Sequence, residues 1–351
     1  MPSIAKPIAT HPSLKRNVLG LTIRDYEGSM STLCAGCGHD SITAAIIRAL
    51  WELSTPPHKI AKLSGIGCSS KTPTYFVSGA HGFNSAHGRM PAIAAGAIAA
   101  HRDLTYIGVS GDGDSLSIGL GQLCHAIRRN LRMVYVIENN GVYGLTKGQF
   151  SASSDIGSKS KKGAPNLMAP MDPVQLALSI GATFIARSFS GDKEQLVPIL
   201  KAALSHRGFA LVDVISPCVT FNDHKGSTKS YLYTRQHAMH ATNVDFVPPQ
   251  HEILATIGRQ GATAVTLHDG SVVHFTSVPA GYDPTDRSKV VQFLDQHRAS
   301  KQIVTGLLYI DPDSIDMHEM MQTSDTPLRD LSYEELCPGA AALDKLQERY
   351  R

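Results

Sequence analysis

Several features that would classify a chain quickly are missing from this sequence. No apolar run in its 351 residues approaches the roughly 20 residues that a membrane span requires. The N-terminal region has no apolar stretch of the secretory type, and it is poor in arginine for an organellar transit peptide. The formal net charge of +3 is too small to indicate nucleic-acid binding. We therefore expect a cytoplasmic protein with neither a membrane nor a nucleic acid as its partner.

Cysteine is also scarce, since six cysteines in a chain of this length do not form a disulfide framework. Cys34 and Cys37 are separated by two residues in a glycine-bearing segment, directly before a helix-like run. The other four are Cys68, Cys124, Cys218 and Cys337. In a reducing compartment such residues bind a metal, take part in catalysis or are simply buried.

Short apolar strands alternate with helical segments as far as about residue 230, which predicts an α/β domain with a mostly parallel sheet and helices on both faces. The predicted strands cover residues 58–67, 104–110, 131–138, 182–188 and 209–216. The predicted helices cover residues 39–53, 90–101, 116–130, 172–180 and 192–206. We interpret the polar segment 151–166 as an ordered loop beside the site, although its composition also allows disorder.

Beyond this region the alternation of strands and helices is lost. We therefore divide the chain into an α/β domain over residues 1–230 and a smaller C-terminal extension over residues 231–351. Within the extension, residues 261–282 predict a hairpin that turns at Asp269 and Gly270, and residues 288–299 predict a helix. The sequence assigns no role to this extension.

Chemically distinctive residues follow the predicted strands. Cys68 follows the first strand, GDGD (111–114) the second, ENN (138–140) the third and Cys218 the last. The carboxyl ends of parallel strands share one edge of a sheet, where open α/β folds bind ligands. Because Cys34 and Cys37 precede a helix that should pack on this sheet, we expect them to meet Cys68 and Cys218. Two cysteines fall outside this pattern. We expect Cys124 to be a small buried hydrophobic residue inside a helix, and Cys337, in the weakly patterned tail, to have no role in the site.

Four converging thiolates suit either zinc or a [4Fe–4S] cluster, and their spacing in the sequence does not separate the two. Structural zinc more often uses two pairs of the C-x2-C type, and this chain has one pair. The pattern therefore leans toward a cluster.

A second constellation spans residues 111–149. Its glycines let the backbone approach an anion, and the helix that follows offers free N–H groups to phosphate. Asp112 and Asn140 supply one carboxylate and one amide, which suit Mg²⁺ completed by diphosphate oxygens and water. The plain alternative is a pair of turns, GDG and NNG. No G-x-G-x-x-G opens a helix after the first strand, so the pattern is not a dinucleotide fingerprint.

These motifs together resemble a known family. GDG followed by NN, one helix and one strand later, is similar to the thiamine diphosphate-binding motif. A wider set resembles, in order, the β subunits of 2-oxoacid:ferredoxin oxidoreductases: CAGCGH (34–39), GIGCSSK (65–71), AHGR (86–89), GDGD (111–114), NNGVYGLTKGQ (139–149) and SPC (216–218). The resemblance covers roughly residues 30–225 and implies the thiamine diphosphate-binding fold.

The resemblance also implies a role for each matching residue. The implied ligands of a [4Fe–4S] cluster are Cys34, Cys37, Cys68 and Cys218. The implied Mg²⁺ ligands are the side chains of Asp112 and Asn140 and the carbonyl of Val142. The implied thiamine diphosphate contacts are Ile66, Gly67, Cys68, Ser69, Gly113, Asp114, Gly144 and Leu145, with His87 and Thr146 against the diphosphate end or the ring. The implied substrate contacts are Lys71, facing the carboxylate, and Leu145, beside the thiazolium.

The activity implied by the resemblance is oxidative decarboxylation of a 2-oxoacid with CoA as co-substrate and ferredoxin as electron acceptor. The activating glutamate would come from an α subunit that carries the pyrimidine-binding domain, in an (αβ)2 assembly. YGLTKGQ and GIGCSSK are more similar to the 2-oxoglutarate or broad-specificity group than to the dedicated pyruvate enzymes. We expect 2-oxoglutarate, converted to succinyl-CoA and CO2, as the substrate, and pyruvate or a broad range of 2-oxoacids is the alternative. Two other classes stay open: a non-redox thiamine diphosphate decarboxylase or synthase subunit, and a zinc-stabilised α/β binding module.

Overall fold

The computed structural model describes residues 11–159, 163–248, 263–277, 279 and 281–350. Its strands in chain order are β1 Ile60–Ser64, β2 His81–Asn84, β3 Thr105–Gly111, β4 Met133–Asn139, β5 Val142–Tyr143, β6 Gln149–Phe150, β7 Phe184–Phe189, β8 Phe209–Ile215, β9 Ala238–His240, β10 Thr242–Val247, β11 Thr263–Thr266, β12 Val272–Ser277 and β13 Ile303–Ile310. Its α-helices are α1 Gly38–Glu52, α2 Thr72–Tyr75, α3 Met90–Ala100, α4 Leu120–Arg128, α5 Pro173–Ser179, α6 Lys193–Ser205, α7 Tyr231–His237, α8 Arg287–Ala299, α9 Met317–Met321, α10 Tyr333–Leu336 and α11 Ala340–Gln347.

The main sheet has eight strands in the order β2-β1-β3-β4-β8-β7-β13-β9. The first six run parallel, whereas β13 is antiparallel to β7 and β9 is parallel to β13. A second sheet has three antiparallel strands in the order β10-β12-β11, and β5 pairs with β6 as a short antiparallel ribbon. The sheet is thus mostly parallel, as the sequence predicts.

Two hydrophobic cores cover the two faces of the main sheet. β4 and β8 are buried along their whole lengths, and alternate side chains of each strand enter opposite cores. One core packs the sheet against α1, α6 and the three-stranded sheet. The other packs it against α3, α4, α5 and α8. The predicted α/β architecture with helices on both faces is therefore confirmed.

Most of the predicted elements are present. The five predicted strands correspond to β1, β3, β4, β7 and β8. The hairpin forms from β11 and β12, and the N–H of Leu267 donates to the carbonyl of Ser271 across its turn. Residues 261, 262, 278 and 280 of the predicted hairpin lie outside the described residues. The helix predicted over residues 116–130 differs, because a π-helical turn at Gly113–Ile118 precedes α4.

Two strands of the C-terminal extension were not predicted as part of the main sheet. β13 pairs with β7, and β9 in turn pairs with β13, so both lengthen the sheet on the side away from β1. The division at residue 231 therefore separates segments of the chain but not two sheets. No helix in the described part of the chain is both long and apolar enough to cross a membrane.

We predict that the extension contributes to the stability of the whole sheet. Leu307 on β13 is fully buried in the core shared with α1 and α6, so Leu307→Ala should lower the free energy of unfolding by about 3 kcal/mol. Leu343→Ala is the matched control on the exposed face of α11, and it should change that free energy by less than about 0.5 kcal/mol. Urea titration measures both values. Equal effects would show that β13 is not part of the cooperative core.

Candidate functional site

The carboxyl ends of β1, β3 and β4 open onto one cleft, which holds an empty volume of about 470 Å³. This volume includes space that is open to solvent at the mouth of the cleft. The cleft is lined by the backbone and side chains of Ile66, Gly67, Cys68, Ser69, His87, Gly111, Asp112, Gly113, Asp114, Asn140, Val142, Tyr143, Gly144, Leu145 and Thr146. The structure thus brings together every residue that the sequence assigns to thiamine diphosphate and Mg²⁺, and their individual roles stay predictions.

Asp112 lies at the start of the π-helical turn and is almost completely buried. Its Oδ2 accepts hydrogen bonds from the hydroxyls of Ser151 and Ser153, the latter at 2.6 Å, and its Oδ1 accepts one from the N–H of Asn140 at 3.4 Å. Burial raises the pKa of this carboxyl, although these hydrogen bonds oppose the shift. A cation at Asp112 would offset the cost of burying its charge.

The two serines come from the polar segment that the sequence places beside the site. Ser154 extends the contact, because its hydroxyl donates to the carbonyl of Gly141. The position of this segment is as predicted at residues 151–154, whereas residues 160–162 lie outside the described part. The hydrogen bonds from Ser151 and Ser153 to Asp112 were not predicted, since no sequence signal links a serine to a carboxylate so far away along the chain.

Asp114 forms a hub that ties three loops together. Its Oδ1 accepts from the N–H of Gly88 at 2.7 Å and from that of Ile66 at 3.3 Å, and it also contacts Nδ1 of His87. Its Oδ2 accepts from the hydroxyl of Ser110 at 2.6 Å. Asp114 therefore sets the relative positions of the loops after β1, β2 and β3. The bond to Nδ1 fixes the orientation of the His87 ring beside the cleft.

Tyr143 was not predicted, yet it shapes the floor of the cleft. Its hydroxyl donates to the carbonyl of Gly113 at 3.0 Å, and its ring packs directly on that residue. A Cβ at Gly113 would lie 2.4 Å from the ring, so only glycine fits there. The only sequence signal was Gly113 of the GDG motif. A glycine there indicates that another group packs closely on the backbone, but it does not indicate which residue that is.

The two predicted substrate residues differ in position, because Leu145 lines the cleft and Lys71 is outside its lining. Leu145 lines the cleft and is 48% exposed. Lys71 ends a 3-10 turn that begins at Ser69, and its charge lowers the pKa of the nearby Cys68 thiol against the larger effect of burial. Thr146 is exposed, and its hydroxyl donates to Oε1 of Gln149 at 2.6 Å.

Two of the predicted cluster cysteines, Cys68 and Cys218, are neighbours of the cleft. A Cβ built on Gly144 would lie 3.4 Å from Sγ of Cys68 and 3.6 Å from Sγ of Cys218. Burial raises the pKa of the Cys37 thiol to about 12, with smaller contributions from Glu138 and Cys218. Cys34 is exposed, and the hydroxyl of Thr220 lies 3.7 Å from its Sγ.

The four thiols thus collect in one region, while Cys124 and Cys337 lie elsewhere in the chain. Besides burial, the charges of Cys218 and Cys34 raise the pKa of Cys68, which places these sulfurs within electrostatic reach of one another. Within the described residues, no three His, Cys, Asp or Glu side chains stand at the spacing that a bound metal requires. The convergence of the cysteines fits a thiolate-bound group, and the cluster itself stays a prediction.

A buried polar network lies beneath the cysteines. Glu138 on β4 accepts hydrogen bonds from the hydroxyl of Thr72 at 3.0 and 3.1 Å, and its Oε2 lies 3.4 Å from Nδ1 of His39. Burial raises the pKa of Glu138 well above its usual range and lowers that of His39 to about 4. The imidazole is therefore neutral at pH 7, so this contact is not a salt bridge between two full charges.

Comparison with known proteins supports this description. A family model for the thiamine pyrophosphate enzyme C-terminal TPP-binding domain matches residues 65–214. The chain is 46% identical over 192 residues to the 2-oxoglutarate oxidoreductase subunit KorB of Mycobacterium tuberculosis, covering 54% of this chain and 51% of that relative. It is 35% identical over 190 residues to the 2-oxoglutarate synthase subunit KorB of Methanocaldococcus jannaschii, covering 54% of this chain and 69% of that relative.

A solved structure resembles the chain over nearly its whole length. It is the 2-oxoglutarate:ferredoxin oxidoreductase from Magnetococcus marinus with 2-oxoglutarate, coenzyme A and succinyl-CoA bound, with a TM-score of 0.71, 27% sequence identity and coverage of 97% of both chains. The fold and the cleft define a thiamine diphosphate-binding domain. The chain belongs to the β-subunit family of the 2-oxoacid:ferredoxin oxidoreductases. It spans about half the length of the Mycobacterium tuberculosis relative that it matches.

We predict that a side chain at Gly65 disrupts the hydrogen bonds of the Asp114 carboxylate and thereby destabilises the protein. A Cβ at Gly65 would lie 1.8 Å from Oδ2 of Asp114, and this buried carboxylate is fixed by its hydrogen bonds. Gly65→Ala should therefore cost roughly 2–4 kcal/mol of unfolding free energy, measured by urea titration. Gly121→Ala is the control inside α4, where a Cβ meets no atom within 4 Å, and it should stabilise the protein by up to about 1 kcal/mol. A neutral Gly65→Ala would contradict the hub.

Proposed function

We propose that this chain is the β subunit of a 2-oxoglutarate:ferredoxin oxidoreductase that converts 2-oxoglutarate and CoA to succinyl-CoA and CO2. The observation that carries the proposal is the position of Gly144, which lines the cleft and lies against the sulfurs of Cys68 and Cys218. A cofactor in the cleft and an electron acceptor on the cysteines would be direct neighbours. A non-redox thiamine enzyme has no need of this arrangement.

The cleft has the donor set that a magnesium diphosphate requires. Asp112 and Asn140 would bind Mg²⁺ through their side-chain oxygens, with the carbonyl of Val142 as a third ligand. Ser151 and Ser153 hold the Asp112 carboxylate in place from behind. Asn140 is anchored as well, because its Oδ1 accepts from the N–H of Val142 at 3.0 Å and its carbonyl accepts from Nδ2 of Asn222 at 2.8 Å.

Cys34, Cys37, Cys68 and Cys218 would hold a [4Fe–4S] cluster. Bound thiamine diphosphate supplies the decarboxylation chemistry, and a bound cluster supplies a one-electron route to ferredoxin. Because burial raises the pKa of Cys37 and Cys68, their thiolate forms are costly in this site, and a bound cluster would offset that cost. Assembly of the cluster would therefore release protons.

Lys71 and Leu145 would contact the substrate. Lys71 places a cation close to Cys68, which itself lines the cleft, and this cation would attract the carboxylates of a 2-oxoacid. Two of the relatives carry 2-oxoglutarate in their names, and the solved structure contains 2-oxoglutarate. These points favour 2-oxoglutarate over pyruvate or a broad substrate range.

An α subunit would complete the site. The activating glutamate expected from the pyrimidine-binding domain would come from that subunit, in an (αβ)2 assembly in the cytoplasm that delivers electrons to ferredoxin. Apolar side chains are exposed at the mouth of the cleft, with Ile66 at 38% and Leu145 at 48%. Exposed apolar surface beside a cofactor cleft suits coverage by a partner chain.

The metal content of the αβ complex tests the cluster assignment. Purified without oxygen, it should contain about four irons per β chain with matching sulfide, together with Mg²⁺ and thiamine diphosphate. Cys218→Ser should lose most of this iron, because it removes one of the four thiolates. Cys124→Ser, on α4 and outside the cysteine group, should keep it. Zinc in place of iron, with no bound thiamine diphosphate, would favour the binding module instead.

Steady-state kinetics of the complex test the substrate assignment. We expect kcat/KM for 2-oxoglutarate to exceed that for pyruvate by more than tenfold, and Lys71→Gln to lower it by roughly tenfold or more through loss of a charged contact. Lys289→Gln, on the exposed surface of α8, should leave kcat/KM unchanged. The chain expressed without its α subunit should show no turnover. A tenfold preference for pyruvate would overturn the assignment.

A further inference from the structure

His39 is fully buried at the start of α1, two residues after Cys37. The sequence singles it out only as part of CAGCGH, and the proposed reaction assigns it no role. Its two ring nitrogens contact side chains from two other loops, each of which also carries a cysteine.

One nitrogen contacts the loop after β8. Nδ1 of His39 lies 2.6 Å from the hydroxyl of Ser216, which precedes Cys218 by two residues. The other nitrogen contacts the loop after β1, since Nε2 lies 3.3 Å from the hydroxyl of Ser69, the residue next to Cys68. One imidazole thus joins the segments that carry Cys37, Cys68 and Cys218.

The surrounding atoms leave the ring little freedom. A Cβ on Gly38 would lie 2.5 Å from the Ser216 hydroxyl, so glycine is what lets α1 approach this loop. Oε2 of Glu138 lies 3.4 Å from Nδ1, and the hydroxyl of Thr72 holds the Glu138 carboxyl from the other side. The ring is therefore held by the two loops and also lies beside the Glu138 carboxyl of the central strand β4.

Cys34 is held by different means. The hydroxyl of Tyr231 donates to the carbonyl of Gly36 at 3.0 Å, and the hydroxyl of Thr220 lies 3.7 Å from the Cys34 sulfur. Both partners come from the segment after Cys218. His39 thus joins the segments that carry Cys37, Cys68 and Cys218, whereas the segment around Cys34 is held by residues that follow Cys218.

We propose that His39 is a positioning residue that aligns the three loops carrying Cys37, Cys68 and Cys218, so that their sulfurs stand ready for a metal cluster. The proposal rests on the cluster assigned under the proposed function. A [4Fe–4S] cluster needs four sulfurs at fixed separations, and these sulfurs come from loops distant in the sequence. A residue that hydrogen-bonds across the loops acts on all three at once, in the way that outer groups orient metal ligands.

The test compares His39→Leu, His39→Asn and His39→Gln with the wild-type αβ complex, purified without oxygen. Leucine removes both contacts, asparagine can keep the one near Nδ1, and glutamine the one near Nε2. The control is His318→Leu, since His318 is also buried and contacts two groups, the Thr323 hydroxyl at 2.7 Å and the Ile98 carbonyl at 2.9 Å. A purely structural role would affect both histidines alike.

Two measurements decide the outcome. The first is the rate of iron loss to a ferrous chelator, followed at the cluster absorbance, which should rise at least fivefold in His39→Leu and by less in the asparagine and glutamine variants. The second uses iron-free, reduced protein and measures alkylation of Cys68 and Cys218 by mass spectrometry, which should be at least threefold faster in His39→Leu. His318→Leu should change neither rate.

The proposed function and the role of His39 fail in different ways. Wild-type complex without iron would overturn the cluster, while the alkylation rates would still report on the alignment of the loops. Iron-loaded wild type with unchanged chelation and alkylation rates in His39→Leu would overturn the role of His39 alone. Equal acceleration in His39→Leu and His318→Leu would also overturn it, because the effect would then be general destabilisation.

Discussion

The site depends on one geometric constraint, which is that the parallel strands β1, β3, β4 and β8 all end at the same edge of the sheet. Each strand delivers one chemical group there. Cys68 follows β1, Asp112 follows β3, Asn140 follows β4 and Cys218 follows β8. Because parallel strands are joined by long crossover connections, these groups come from distant parts of the sequence and still meet at one edge. The edge therefore assembles the cleft and the cysteine group as one unit.

The price of this arrangement is a set of buried polar groups. Asp112, Asp114 and Glu138 are all nearly inaccessible, and burial raises the pKa of two of them, Asp112 and Glu138. The cost of burying each carboxyl is offset by hydrogen bonds from hydroxyl or N–H donors on a different loop. These bonds make the positions of the loops depend on one another. Groups of this kind are costly in a core and are tolerated where they hold loops in position. A divalent cation bound at Asp112 would offset the remaining cost of burying its negative charge.

The sequence predicts the ends of β3, β4, β7 and β8 closely because continuous apolar runs are local signals, whereas β1 ends at Ser64, earlier than the predicted residue 67. It does not predict β13, because IVTGLLYI comes after the regular alternation has ended and only its pairing with β7 shows that the chain returns to the sheet. β2 is missed for the opposite reason, since HGFN is short, exposed and polar at an edge. The contacts of Asp114, Tyr143 and Ser153 could not be read from the sequence either. Each joins residues whose proximity is set by the tertiary fold.

Gly144 shows how the two halves of the site are coupled. Its backbone forms part of the cleft wall, and the space that a side chain would fill on it is bordered by the sulfurs of Cys68 and Cys218. Cys68 itself also lines the cleft, so the cleft and the cysteine group share part of one wall. A Cβ at this point would be in van der Waals contact with both sulfurs, so glycine leaves no side chain between the cleft and the cysteines. Gly144, which the resemblance implies as a thiamine diphosphate contact, therefore also borders the cysteine group, and under the proposed function it would lie between the cofactor and the electron acceptor.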